Sequence, residues 1–253
     1  MSLVIRTPQE MRTWRATQGG KSVGFVPTMG ALHLGHESLL QQARRENELC
    51  VLSIFVNPTQ FNDKKDFEKY PKTWEQDLQV ASRNKVDVIF APDFELMYPD
   101  QYRFKIVEND FSQQLCGQSR PGHFDGVLSV VMKLFNLIQP ARAYFGEKDF
   151  QQLTLIQDMV KSFFLPIEII PVPTVREKDG LAMSSRNVRL APDDRAQAPL
   201  IYQIISKSAS AGEAKRALES HHWKVDYVTD IKNRRFVAVH VGGVRLIDNV
   251  SIP

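Results

Sequence analysis

A chain of 253 residues, 43% hydrophobic and 24% charged, is long enough for one large domain or two modest ones, each with its own core. No apolar run approaches the roughly 18 residues of a membrane span. The N-terminus, MSLVIRTPQEM, lacks the apolar stretch and cleavage site of a signal peptide, so a cytoplasmic location and no membrane partner are expected. A net charge of +3 suits an anionic small molecule as well as a nucleic acid and decides nothing alone.

Residues 3–6 (LVIR) read as a first strand, and Thr7-Pro8-Gln9-Glu10 as a capping box with Pro8 at the first helical position. SVGFVPT (22–28) is a short β-branched run, and HESLLQQARREN (36–47) is helical by periodicity. LCVLSIFV (49–56) has the continuous apolar character of a strand buried on both faces of a parallel sheet. A helix is expected over 74–84, a strand over 86–92, a helix over 126–139, a strand over 141–146, a helix over 150–164 and a strand over 167–172. This alternation predicts an α/β fold with a doubly wound, Rossmann-like parallel sheet, which binds ligands at the carboxyl ends of its strands. Near residue 190 the texture changes. APDDRAQAPL starts a helix pair, and VDYVTDI, RFVAVHVGG and VRLIDNVSI read as three short strands. The expected domains are 1–175 and a smaller α+β domain over 176–253. Cys50 and Cys116 lie far apart and are expected to be reduced.

Three clusters carry chemistry. The first, Met29 to His36, places His33 and His36 where a strand turns into a helix. One reading is a glycine-softened loop with two surface histidines. A metal pair is a second, weakened because no Cys, Asp or Glu stands at a recognisable spacing. A third is phosphate chemistry, in which backbone N–H groups and the positive helix end face an anion and the histidines add donors. The second cluster, Lys178 to Asn187, is either a polar connection or a mobile loop whose Arg186 takes two phosphate oxygens at once. The third, Gly146-Glu147-Lys148-Asp149, again follows a strand and opens a helix. Lys148 is there a phosphate-binding point charge or a solvated helix-start residue.

HxGH between a strand and a helix is similar to the mark of the nucleotidylyltransferases and class I aminoacyl-tRNA synthetases, whose KMSKS loop the second cluster resembles. The longer stretches VPTMGALHLGH, SIFVNPTQF (53–61), YPKTWEQDL (70–78), SRPGHFDGV (119–127), FGEKDFQQL (145–153), VPTVREKDGLAMSSRN (172–187) and RLIDN (245–249) narrow this. In their order and content the chain resembles the pantothenate synthetase (pantoate–β-alanine ligase) family. The resemblance implies ATP-dependent condensation of (R)-pantoate with β-alanine through a pantoyl adenylate, releasing AMP and pyrophosphate. ATP and Mg²⁺ are expected as substrate and cofactor, pantoate and β-alanine as small-molecule partners, with no nucleic acid. A homodimer is expected through the first domain.

By the same resemblance Met29, Gly30, Ala31, Leu32, His33, Leu34, Gly35 and His36 line the ATP site, with His33 and His36 on the phosphates and His36 the candidate proton donor. Gly146, Glu147, Lys148, Asp149, Val175, Met183, Ser184, Ser185 and Arg186 complete the nucleotide pocket. Gln60 and Gln152 correspond to the pantoate-binding glutamines, and Gln60 also borders the β-alanine position. Amides suit a ligand with hydroxyls and a carboxylate because they donate and accept. The catalytic set expected is His33, His36, Lys148 and Arg186.

Lys72, Lys64 and Lys65 depart from the family pattern without touching the core motifs. Of the acids the family places near magnesium only Asp77 matches, so no metal ligand is assigned. The segment from about 205 to 240 is shorter than the family norm, so an abridged C-terminal lid is expected. His221 and His222 read as solvated, His240 as structural, and His123 falls in a family motif without a derivable role. Two rivals remain open: another nucleotidylyltransferase, ending at pyrophosphate release, and a nucleotide-binding relic without turnover.

Overall fold

A computed structural model describes residues 2–252 of the protein. The capping box is present. Glu10 N–H donates to Thr7 Oγ1 at 3.1 Å, Thr7 N–H donates to Glu10 Oε2 at 3.1 Å, and helix Pro8–Thr17 follows.

The expected strands form β1 (Leu3–Ile5), β2 (Val23–Thr28), β3 (Leu49–Ile54), β4 (Val88–Phe90), β5 (Arg142–Gly146) and β6 (Glu168–Val172). They make one sheet in the order β1-β4-β3-β2-β5-β6, with every neighbouring pair parallel. Parallel neighbours cannot be joined by tight hairpins, so helices cross between them and cover the faces. Val26, Leu40, Leu52 and Ile89 are fully buried in the resulting core. From β2 the chain winds to β3 and β4 on one side and later to β5 and β6 on the other. The carboxyl ends of β2 and β5 therefore flank the switch point, where such sheets leave a crevice.

Two helices begin earlier than periodicity predicts. The helix read from 36 spans Leu34–Glu46, which makes His33 its N-cap, and the helix read from 126 spans His123–Ile138. At Leu34 the His33 cap sets the boundary in place of the apolar repeat, and at His123 the helix follows Gly122 at φ +77° with no side-chain cap.

The chain divides into two compact units. The first runs to Gly146 and resumes over Gln151–Val172, and the second holds Glu147–Phe150 and the chain from Pro173 on. That division falls shortly before the expected boundary at 175 and transfers the Glu-Lys-Asp turn to the second unit. In the second unit β7 (Lys224–Ile231), β8 (Arg234–Val241) and β9 (Val244–Ser251) form an antiparallel meander. Its turns, Lys232-Asn233 and Gly242-Gly243, have positive φ at both residues, as two-residue hairpins with right-handed twist require. Helices Leu200–Lys207 and Ala211–Glu219 bury Ile201, Ile205 and Leu218 with Val237, Val239 and Leu246. Arg235, 2% exposed, donates to Asp230 and to the carbonyls of Ile205 and Ser208, tying a helix end to the sheet. Among the described residues no helix is long and apolar enough to cross a membrane.

Candidate active site

The Met29–His36 turn leaves the carboxyl end of β2. Gly30 has φ +83°, and a Cβ there would stand 2.9 Å from Asp77 Oδ2, so the position needs glycine twice over. Asp77, 2% exposed, reaches across from helix Trp74–Arg83. Its Oδ2 accepts the Ala31 N–H at 3.1 Å, its Oδ1 accepts the Leu32 N–H at 2.8 Å, and Thr73 Oγ1 donates to Oδ1 at 3.2 Å. Burial pushes the Asp77 carboxyl above its usual range, although the two backbone donors and Thr73 pull the other way.

His33 and His36 form the rest of the turn as a capping box made of imidazoles. His33 Nδ1 accepts the Gly35 N–H at 3.2 Å, and His36 Nδ1 accepts the His33 N–H at 3.3 Å. A ring nitrogen that accepts carries no proton, so in the neutral imidazoles both protons sit on Nε2. The two ring centroids are 4.1 Å apart. Gly30 N–H donates to Thr28 Oγ1 at 3.2 Å, so the amides of Gly30, Ala31, Leu32, His33 and Gly35 are all engaged within the protein. That differs from the expectation that the backbone of this turn faces an anion.

Gln60 ends the short helical turn Pro58–Gln60 beyond β3, and its Nε2 lies 3.1 Å from Met29 Sδ. The first unit thus brings Gln60 to the start of the histidine turn. Gln152 stands at the start of helix Phe150–Ser162, half-buried. Its neighbour Gln151 is buried and structural: its amide donates to the carbonyls of Phe111 and Gln114 and accepts the Cys116 N–H.

In the second unit β9 joins the other two clusters. Asn249 Nδ2 donates to the Glu147 and Lys148 carbonyls, at 2.9 Å each. Next to it, buried Asp248 accepts both Arg176 nitrogens at 2.6 and 3.0 Å, and the Arg176 guanidinium lies 3.6 Å from the centre of the Tyr202 ring. Lys148 Nζ is 3.6 Å from Asp149 Oδ1. From Arg176 the chain makes a small hairpin. Arg176 bridges Ala182, the Gly180 N–H donates to the Glu177 carbonyl, and the Met183 N–H donates to the Val175 carbonyl at 3.0 Å. Arg195 grips Glu177 and Asp179 from below, while Asn187 Nδ2 donates to Glu177 Oε1 at 2.8 Å and the Ala182 carbonyl at 3.1 Å. Met183–Arg186 is therefore a short span between two anchored ends.

Sequence reasoning gave no role to Asp77, Asn249, Asp248 or Arg195, and none to His123, which contacts Gln60. His240 proves to pair with Asp226 at 3.0 Å, and His221 stacks on Trp223, so the latter is not simply solvated. Cys50 and Cys116 are buried and not in a disulfide, and burial pushes the Cys50 thiol up to about 12. Among the described residues no group of three or more His, Cys, Asp or Glu is placed to hold a metal. Asp77 spends its oxygens on the Ala31 and Leu32 N–H groups and on Thr73, and no metal ligand is assigned to it. Mg²⁺ characteristically travels on substrate phosphates with most of its water shell, which asks for no protein cage.

A pantoate-beta-alanine ligase family model matches residues 3–251. The chain belongs to the pantoate-beta-alanine ligase family. It is 64% identical over 252 residues to the pantothenate synthetase of Bdellovibrio bacteriovorus, covering 100% of both chains. To the pantothenate synthetase of Coxiella burnetii it is 49% identical over 250 residues, covering 99% of this chain and 97% of that one. The crystal structure of pantoate-beta-alanine ligase from Francisella tularensis, complexed with beta-gamma ATP and beta-alanine, superposes with a TM-score of 0.95 at 40% identity, covering 99% and 98% of the two chains. Membership makes the protein a ligase of pantothenate biosynthesis and sets aside the other HxGH nucleotidylyltransferases. These relatives match from end to end, so they share the short C-terminal unit.

Proposed function

We propose that the ligase works through a pantoyl adenylate, with the catalytic and binding residues assigned as follows. A pantoate carboxylate oxygen attacks the α-phosphorus of ATP, and the bond to pyrophosphate breaks. The β-alanine amine then attacks the acyl carbon, AMP leaves with the carboxyl oxygen it gained, and the amine loses a proton. No covalent enzyme intermediate is needed, so catalysis rests on alignment and on charge placed where it develops. His33 and His36 supply Nε2–H donors to the phosphates, and His36 is the proton donor to the leaving group. Lys148 and Arg186 neutralise the pyrophosphate, the latter as a fork that takes two oxygens. Gln60 and Gln152 hold pantoate by its hydroxyls and carboxylate, with Gln60 also beside β-alanine. Met29–His36, Gly146–Asp149, Val175 and Met183–Ser185 line the nucleotide. Mg²⁺ would be carried on the ATP phosphates as part of the substrate and would add positive charge there.

The observation that carries this reading is the reciprocal bonding of His33 and His36, whose Nδ1 atoms both accept backbone N–H groups. It leaves the Nε2 atoms to carry the protons of the neutral imidazoles, which supports reading them as preorganised donors to developing negative charge. ATP and β-alanine, the ligands of the Francisella relative, fit the same assignment. A cytoplasmic location is supported by two cysteines that form no disulfide. A homodimer through the first unit is supported by the unpaired edge of β6 and the exposed Phe163 and Phe164 beside it. The deciding experiment follows pyrophosphate and AMP with ATP and pantoate, with and without β-alanine. A pyrophosphate burst with pantoate alone, and steady AMP only with both, is expected. Pyrophosphate release that requires β-alanine would refute the two-step order.

A further inference from the structure

The segment Arg120-Pro-Gly-His123 opens helix His123–Ile138, and the first turn of that helix lies against Pro58–Gln60. The approach is too close for a side chain at Gly126: a Cβ there would stand 2.6 Å from the Thr59 carbonyl oxygen and 2.8 Å from the Gln60 nitrogen. Asn57 stitches the contact, donating from Nδ2 to the Gly126 carbonyl and to Gln60 Oε1, both at 3.1 Å.

At the centre is the backbone carbonyl of Gln60. His123, 8% exposed, places Nδ1 2.7 Å from it. A carbonyl only accepts, so Nδ1 carries the proton. Arg120 stands 3.1 Å from His123 Nε2 through one terminal nitrogen and 3.0 Å from the same Gln60 carbonyl through the other. A guanidinium only donates, so Nε2 is the acceptor, in agreement with the tautomer that Gln60 demands. The result is a closed clamp in which both lone pairs of one carbonyl are taken and each donor fixes the other. Fixed at its main chain by Arg120 and His123, and at its side chain by Asn57 and Met29, Gln60 has little freedom to turn its amide.

We infer that Arg120 and His123 are positioning residues for pantoate, acting through Gln60. This rests on the reading of Gln60 as a pantoate-binding residue. A glutamine amide presents a donor and an acceptor in one plane, and it discriminates hydroxyl and carboxylate positions only if that plane is held. The clamp holds the residue from which the plane projects, and it explains why RPGH, remote in sequence from every substrate-binding stretch, belongs with them.

The test is a double-mutant cycle on the full-length enzyme, reading pantoate KM, ATP KM and kcat, with calorimetric pantoate binding as a check independent of turnover. His123→Ala is expected to raise pantoate KM about fivefold, the worth of one hydrogen bond, and leave ATP KM unchanged. In a Gln60→Ala background it should add almost nothing, because the group it positions is gone. His123→Asn offers an amide N–H near the place of Nδ1–H and should recover most of the loss, which a merely structural role does not predict. If His123→Ala does not fold, Arg120→Ala carries the same cycle with the same expected outcomes. Additive effects of His123→Ala and Gln60→Ala on pantoate KM, or an equal rise in ATP KM, overturn the inference while Gln60 keeps its role. An unchanged pantoate KM in Gln60→Ala alone overturns the reading of Gln60 and the inference with it.

Discussion

Replacing Asp77 by asparagine separates stability from catalysis in this enzyme. The carboxylate accepts the Ala31 and Leu32 N–H groups on its two oxygens, and burial nevertheless holds its pKa above the ordinary value of 3.8. In the window just above 3.8 the native carboxyl keeps a proton that the unfolded chain has released, so folding is favoured below the window and loses that contribution as pH rises through it. At pH 7 the buried charge therefore carries a desolvation cost that Asp77→Asn removes, offsetting part of the hydrogen bond it loses, and Asp77's own contribution to the pH dependence of stability disappears. The asparagine has one acceptor, however, and turns an NH₂ donor towards the second backbone N–H. The turn ahead of His33 loses one bond of about 1–1.5 kcal/mol, which corresponds to roughly a tenfold loss if the imidazoles leave their aligned position. Rapid-quench measurement of pyrophosphate release should show that loss, with thermal unfolding at pH 4 and 7 run alongside. Asp77→Ala, which strips both acceptors from buried N–H groups, should by contrast unfold more easily by about 2 kcal/mol or more. An asparagine variant that is clearly less stable at pH 7 yet adenylates at the parent rate would refute the reasoning.

His36→Ala should lower adenylation by about 10²–10³, the usual loss of one preorganised donor to developing charge, with calorimetric pantoate affinity moving far less; an unchanged pyrophosphate burst removes His36 from the chemistry. Gln152→Ala should raise pantoate KM and leave ATP KM nearly alone in initial-rate kinetics, and equal effects on both would mean that the helix start itself has shifted. Asn249→Ala withdraws the donor shared by the Glu147 and Lys148 carbonyls. It should raise ATP KM by about three- to tenfold with a smaller change for pantoate, whereas an ATP KM at the parent value would show that β9 does not position Lys148.

The sheet was legible because its strands are short continuous apolar runs separated by helical periodicity, a pattern that two-sided burial imposes directly on sequence. Helix starts at Leu34 and His123 were not, because one is set by the His33 cap and the other follows the left-handed Gly122, which no periodicity records. The change in texture near residue 190 lies well past the break after Val172, and the grouping of Glu147–Phe150 with the second unit is not written in the local pattern either. That assignment depends on Asn249, 102 positions from Glu147.

The same separation explains which site residues sequence reasoning named and which it left without a role. His33, His36, Gln60, Lys148 and Arg186 lie in short motifs whose chemistry can be argued from residue type alone. Their supports lie far off: Asp77 is 46 positions from Ala31, His123 is 63 from Gln60, and Asn249 is 101 from Lys148. Yet each support also sits in one of the stretches by which the chain resembles its family. In the structure those stretches pair: WEQDL closes on the Met29 turn, RPGHFDG on NPTQF, and RLIDN on GEKD. One member of each pair carries the groups assigned to substrate, and the other fixes its backbone by side-chain bonds to main-chain N–H or C=O. A ligase without a covalent intermediate depends on alignment for its rate, so the supporting stretches are as closely specified as the ones they hold. Exchanging a support for a residue of equal size but different hydrogen bonding should therefore cost activity before it costs the fold.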